Sequence, residues 1–302
     1  MRALLIGAVE GTGVALDVIG RAPGWHLVAV ATLPPELATR HSDFVDLGPA
    51  AAQANAPLIT VANGNAPAFI EQVKALDIDY AFVIGWSQIC GPEFRDAVNG
   101  RVVGYHPAAL PRLRGRAVIP WTILLDEKIT ASTLFRLDEG VDSGPIIAQK
   151  FFHVAPDETA GTLYAKHMRA LRHILEDALP RLAAGDDAGE PQDHRLATWA
   201  ARRRPKDGRI DWTRPAADVA RLIRAVGRPY PGAWTRSGEA MIIVWEAESS
   251  SGGKRHHGYP GQIIAADAEG IVLLCGDGEA LRITRYDAPP DFRVPVHSVL
   301  GG

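Results

Sequence analysis

A chain of 302 residues exceeds the size at which a single hydrophobic core keeps growing, so one larger and one smaller domain is the expected partition. An apolar fraction of 47% with a charged fraction of 22% is that of an ordinary soluble globular protein and excludes a fibrous or disordered chain. A formal charge of -3 supplies no broad basic face for a phosphate backbone, so nothing in the composition supports binding to nucleic acid.

The chain enters the apolar run Ala3-Leu4-Leu5-Ile6 directly, which reads as a strand ending in glycine and not as a charged leader with a long apolar core. No apolar run reaches membrane-spanning length, so a cytoplasmic protein without membrane association is expected. Strands are predicted over 3–6, 27–32, 80–84 and 102–105. A helix start lies over 11–19, and an amphipathic helix over 66–76 has Phe69, Ile70, Val73 and Leu76 on one face. That alternation predicts a parallel sheet flanked by helices. The turn Gly7-Ala8-Val9-Glu10-Gly11-Thr12-Gly13 fits neither a Walker loop nor a dinucleotide fingerprint, leaving a plain tight turn or an anion seat at a helix N-terminus.

Two more strands, 133–137 and 145–152, flank an acidic turn over 138–144. Asp157 is then a good N-cap for a helix carrying Leu163, His167, Leu171, Ile174, Leu175 and Leu182 on its apolar face, with Gly185 as its stop. Residues 185–191 and the basic run 202–206 read as connector, placing a boundary near residue 200. Beyond it come a helix over 216–226 and strands over 241–245, 261–265, 271–275 and 280–284, the spacing of a small β-barrel-like domain. Cys90 and Cys275 stand far apart in apolar surroundings without ligand-spaced partners, so buried free thiols and no metal are expected.

The chemistry concentrates between residues 104 and 144, in Gly104-Tyr105-His106-Pro107, Leu110-Pro111-Arg112-Leu113-Arg114-Gly115-Arg116 and Leu137-Asp138-Glu139-Gly140-Val141-Asp142-Ser143-Gly144. Pro107 biases His106 to extended backbone at a strand end. A proton shuttle with a carboxylate is the minimum kit for moving an acyl group onto an amine. Asp138, Glu139 and Asp142 compete as that carboxylate, and spacing does not choose among them.

These pieces, together with Trp121, the stretch 203–212 and the stretch 224–234, resemble the formyltransferase family that uses 10-formyltetrahydrofolate. Its members act on initiator methionyl-tRNA, amino-sugar nucleotides, glycinamide ribonucleotide and other amines. The resemblance covers nearly the whole chain. It implies an α/β fold, with a Rossmann-like catalytic domain over 1–200 and a smaller C-terminal open β-barrel of OB-like type over 201–302. The family's catalytic Asn-x-His pair and Asp map onto Gly104, His106 and Asp142; Gly104 lacks the amide that helps to stabilise the oxyanion. Related domains that hydrolyse the formyl group also lack this asparagine.

The implied co-substrate is 10-formyltetrahydrofolate, with Trp86, Ser87, Gln88 and Ile89 at the end of the 80–84 strand, Leu110, Arg114, Asp138 and Val141 lining its cleft. Trp86 and Ile89 read equally well as core. Arg114 suits a substrate phosphate or a folate carboxylate. The segment 34–48 is short and of mixed charge, and 202–206 reads as solvated linker, so the resemblance implies a small-molecule amine acceptor, foremost an amino-sugar nucleotide, ahead of tRNA. A 10-formyltetrahydrofolate hydrolase, a methionyl-tRNA formyltransferase and a non-catalytic folate- or nucleotide-binding homologue stand as alternatives.

Overall fold

A computed structural model describes every residue except Asp291, Val294 and Gly302. In chain order it contains β1 (Arg2–Ile6), α1 (Glu10–Arg21), β2 (His26–Thr32), α2 (Gly48–Gln53), β3 (Leu58–Thr60), α3 (Pro67–Ala75), β4 (Tyr80–Val83), α4 (Pro92–Asp96), β5 (Val102–His106) and β6 (Arg114–Gly115). There follow α5 (Val118–Leu124), β7 (Ile129–Arg136), β8 (Ile146–His153), α6 (Ala160–Ala183), β9 (Trp199–Ala200), α7 (Ala216–Val226), β10 (Ala233–Ser237), β11 (Ala240–Ser250), β12 (Ile263–Asp267), β13 (Gly270–Leu274) and β14 (Ala280–Asp287). Two compact units result. The first comprises Met1–Val118, Ile129–His153 and Tyr164–Ala201; the second gathers Ile119–Lys128, Val154–Leu163 and the chain from Arg202 onward.

The first unit is built on a seven-stranded sheet of order β3-β2-β1-β4-β5-β7-β8. Its first five strands run parallel, while β7 and β8 are antiparallel. The continuous apolar runs in β1 and β4 have a direct cause: both faces of the sheet are covered. Ala3, Leu5, Tyr80 and Phe82 point into a cluster with α1 and α6, whereas Leu4, Ile6, Ala81 and Val83 point into one with α3 and α4. Trp25 closes the first cluster edge-on against Phe82, ring centroids 5.5 Å apart. The chain runs outward from β1 through β2 to β3 and then returns to β1's other side as β4, which sets a topological switch point between β1 and β4.

The second unit carries a five-stranded antiparallel sheet of order β10-β11-β14-β13-β12. Helix α7 buries Ala216, Val219, Ile223 and Val226, spaced three or four apart, and packs on β10, β11 and β14. The chain's last residues link the two sheet edges: Leu300 N–H donates to Gly261 C=O at 2.9 Å and Gly301 N–H to Arg236 C=O at 2.8 Å. The unit is therefore an open sheet curled toward a barrel. Among the described residues, no helix is long and apolar enough to cross a membrane.

Local differences from the sequence reading have simple causes. Strands β3 and β10 were not anticipated: β3 has only three residues, none of them buried, and β10 reads Ala-Trp-Thr-Arg-Ser, two apolar residues followed by three polar ones, without the alternation that marks a strand. Helix α6 begins after Thr159, whose Oγ1 accepts the Thr162 N–H at 3.2 Å, so Thr159 and not Asp157 caps it.

Candidate active site

Strand ends at the switch point bring Gly7, Gly85 and His106 to one edge of the sheet. The turn after β1 is a tight turn. Its Ala8 N–H donates to Gly85 C=O, Val9 N–H to Thr12 Oγ1, and the Thr12 and Gly13 N–H groups to Val9 C=O. Gly7 is required there, because a Cβ would lie 1.9 Å from Ile84 O.

His106 closes β5 with only 5% of its surface exposed. Its Nε2 lies 2.7 Å from Leu113 C=O, and a carbonyl only accepts, so Nε2 carries the hydrogen. That leaves Nδ1 facing Asp142 Oδ2 at 3.6 Å, beyond direct hydrogen-bonding distance. Oδ2 in turn accepts the Gly115 N–H at 2.8 Å. A neutral ring would thus point a lone pair at a carboxylate oxygen. The pair is set to share one proton, carried on the ring or by a donor that reaches both acceptors from the side.

The acidic loop resolves its three carboxylates by position. Asp138 Oδ1 accepts from Gly140 N–H at 3.0 Å and from Ser143 Oγ at 2.7 Å, tying the loop to itself, and Glu139 is exposed. Asp142 has φ 51°, a left-handed conformation that aspartate tolerates better than most residues, and this turns its carboxylate toward His106. Gly144 permits the return into β8, since a Cβ there would lie 1.9 Å from Arg136 O.

Position 104 shares a sheet face with His106. A Cβ at Gly104 would lie 2.2 Å from Leu137 Cδ1 and 3.0 Å from the Phe135 ring, so apolar side chains fill the space next to it. At the end of β4, Trp86 packs against the α3–α4 cluster and Ile89 is 66% exposed. Gln88 accepts from Gly64 N–H at 3.0 Å and donates to Ala62 C=O at 2.9 Å; its amide pins the loop. Ser87 is half-buried beside them, and Val141 is about half exposed in the acidic loop. Leu110 is buried, and its bond to Pro111 is cis.

Arg114 is 4% exposed, and its hydrogen-bond partners are neutral: Gln192 Oε1, 2.6 Å from Nη2 and 3.2 Å from Nε, and His194 Nδ1, 3.1 Å from Nη2. Gln192 and His194 belong to a segment that the sequence reading left unassigned, between the connectors 185–191 and 202–206. It is a strap along the site. Leu113 N–H donates to Thr198 Oγ1 at 2.9 Å, Arg114 N–H to Thr198 C=O at 2.8 Å, and Arg116 N–H to Ala200 C=O at 3.0 Å. No spacing or residue class marks it in the sequence, because most of these bonds are made by backbone groups.

On the opposite face of β5, Tyr105 Oη lies 3.0 Å from Ser132 Oγ, which lies 2.9 Å from His167 Nδ1. His167 is fully buried, its Nε2 has no partner, and burial, with His106 nearby, pushes its pKa down to about 3. It is a neutral core imidazole.

A Rossmann-type sheet with a histidine–aspartate pair at its strand ends, followed by a curled antiparallel sheet, defines a two-unit α/β protein. The family profile described as Formyl transferase matches residues 20–179, and Formyl transferase, C-terminal domain, matches residues 203–300. The chain belongs to the formyl transferase family.

Among solved structures, HypX from Aquifex aeolicus, in complex with tetrahydrofolic acid, is similar at 18% identity and TM-score 0.67 over 95% of this chain, which spans only 44% of HypX. An N-formyltransferase from Helicobacter canadensis, in complex with folinic acid and dTDP-3-aminofucose, matches at 16% identity and TM-score 0.69 over 93% of this chain and 98% of its own. Phosphoribosylglycinamide formyltransferase from Bacillus halodurans matches at 24% identity and TM-score 0.54 over 62% of this chain and 97% of its own. At these identities the likeness is one of fold.

Proposed function

We propose that this chain transfers the formyl group of 10-formyltetrahydrofolate to a small amine, with an amino-sugar nucleotide as the acceptor. The carrying observation is the His106–Asp142 pair, whose two acceptors, 3.6 Å apart, are set to share one proton. In this reading the attacking nitrogen approaches beside the pair, within reach of both acceptors, and bonds to the formyl carbon; Asp142 takes the proton it sheds and hands it to His106 Nδ1, which delivers it to the folate nitrogen as that nitrogen's bond to the formyl carbon breaks. Trp86, Ser87, Ile89, Leu110 and Val141 border the folate, and Gln88 acts by holding its loop. Arg114, whose partners are neutral, contributes positive potential to the oxygen that gains charge.

Two observations support the sugar acceptor. The chain matches the Helicobacter canadensis enzyme over nearly the full length of both proteins, whereas the glycinamide enzyme matches only 62% of it. The net charge of -3 offers little to a tRNA backbone.

Hydrolysis of 10-formyltetrahydrofolate is the second reading, favoured by Gly104. With Leu137 and Phe135 packed where a side chain would begin, no amide donor is available from that position. Loss of one oxyanion donor typically costs about 10²–10³ in rate. The deciding experiment is a panel of amine acceptors with 10-formyltetrahydrofolate, read by tetrahydrofolate release and product mass. Release that depends on an amino-sugar nucleotide supports transfer. Formate and tetrahydrofolate formed without any acceptor support hydrolysis, and no release under either condition ends both readings.

A further inference from the structure

We infer that Gln192 is a positioning residue that sets the separation of His106 and Asp142; the inference rests on the reading of that pair as the reacting groups. Gln192 is 6% exposed, and all four hydrogen-bonding positions of its amide are filled. Oε1 accepts from Arg114 Nη2 at 2.6 Å and from Arg114 Nε at 3.2 Å. Nε2 donates to Asp142 C=O at 2.9 Å and to Gly144 C=O at 2.7 Å. The guanidinium only donates and the carbonyls only accept, so the amide has one possible orientation.

This single side chain ties together the two segments that hold the pair. On one side, Leu113 C=O receives His106 Nε2–H and Gly115 N–H holds Asp142 Oδ2, and the residue between them is Arg114. On the other, Gln192 grips the backbone of Asp142 itself and of Gly144. That grip matters because Asp142 sits at φ 51°, a left-handed conformation that a non-glycine residue holds only when its surroundings fix it. No other residue type offers two acceptor lone pairs and two donors at this reach. Glutamate keeps the first and loses the second; asparagine is one methylene short.

A misplacement of about 1 Å at a reacting pair can cost about 10²-fold in rate. Gln192→Glu keeps a partner for Arg114 but turns lone pairs toward two carbonyls, and Gln192→Met removes all four contacts at similar volume. Both variants should lower kcat for tetrahydrofolate release about 10²-fold, leave KM for 10-formyltetrahydrofolate within about threefold, and move the pH profile of kcat by about half a unit or more. Exchange of the Gly115 amide hydrogen, protected by Asp142 Oδ2, should accelerate at least about tenfold, and this readout needs no turnover.

A folded Gln192→Glu protein whose kcat, pH profile and Gly115 exchange all lie within twofold of wild type overturns the inference. So does a loss of activity that only tracks the loss of folded protein, with the pH profile unmoved. If Gln192→Met does not fold, Gln192→Glu carries the test. His106→Ala assayed in parallel separates the two claims: activity retained in it defeats the catalytic reading, whereas an inactive His106→Ala beside a wild-type-like Gln192→Glu defeats the positioning role alone.

Discussion

Lowering the pH from 7 to 5 should destabilise this protein through His167, by an amount that the structure allows to be worked out. The imidazole is fully buried, its Nε2 has no partner, and burial pushes its pKa from 6.5 down to about 3. The folded state therefore refuses a proton that the unfolded chain accepts below pH 6.5. Stability from this group is fully present above pH 6.5 and is lost as the pH falls toward 3, at about 1.36 kcal/mol per unit. Between pH 6.5 and 5 that is about 2 kcal/mol, a large part of a typical folding free energy. Other groups also titrate in this range, so the comparison to make is wild type against His167→Gln, by urea denaturation at half-unit steps from pH 7.5 to 5. The variant starts less stable, having lost a fitted ring, yet its stability should fall less steeply by about one proton's worth. Parallel slopes for the two proteins would refute the reasoning.

Gly115→Ala should cost about 1–3 kcal/mol, because φ is 106° and the new Cβ would lie 2.5 Å from Ala200 O; urea melts measure this, and tetrahydrofolate release should fall as the Gly115 N–H loses its hold on Asp142. Gly104→Asn alone should destabilise the fold, since Leu137 and Phe135 occupy its side, whereas Gly104→Asn combined with Leu137→Ala should recover stability and raise transfer to an amine. Thermal melts and acceptor assays of both variants check this pair of outcomes. Cys90 and Cys275 are buried, and burial pushes both thiols up to about 12, so a disulfide reagent at pH 8 should leave the native protein unlabelled while titrating both thiols after denaturation.

The parts of this fold most legible in the sequence are those where side-chain pattern and burial coincide. Helix α7 spans Ala216–Val226, the range its apolar spacing predicts, and β1, β4 and β5 fall within a residue or so at each end because strands covered on both faces read as unbroken apolar runs. Strand β3 escaped because three partly exposed residues leave no periodicity. Spacing left the choice among Asp138, Glu139 and Asp142 open for a different reason, and only the family resemblance pointed to Asp142. Two are the same residue type within one turn, and only backbone geometry separates the one that ties the loop from the one that faces His106. The strap of residues 192–200 was hidden because it works mostly through main-chain carbonyls and one amide, neither of which leaves a spacing signature.

The most direct test of the account is tetrahydrofolate release by Asp142→Asn. Asparagine keeps the side chain's shape and an oxygen for the Gly115 N–H, but it cannot take up the nucleophile's proton. A folded variant should lose about 10²–10⁴-fold in kcat with 10-formyltetrahydrofolate still bound. Turnover within twofold of wild type would contradict the assignment of Asp142 and His106 as the reacting pair.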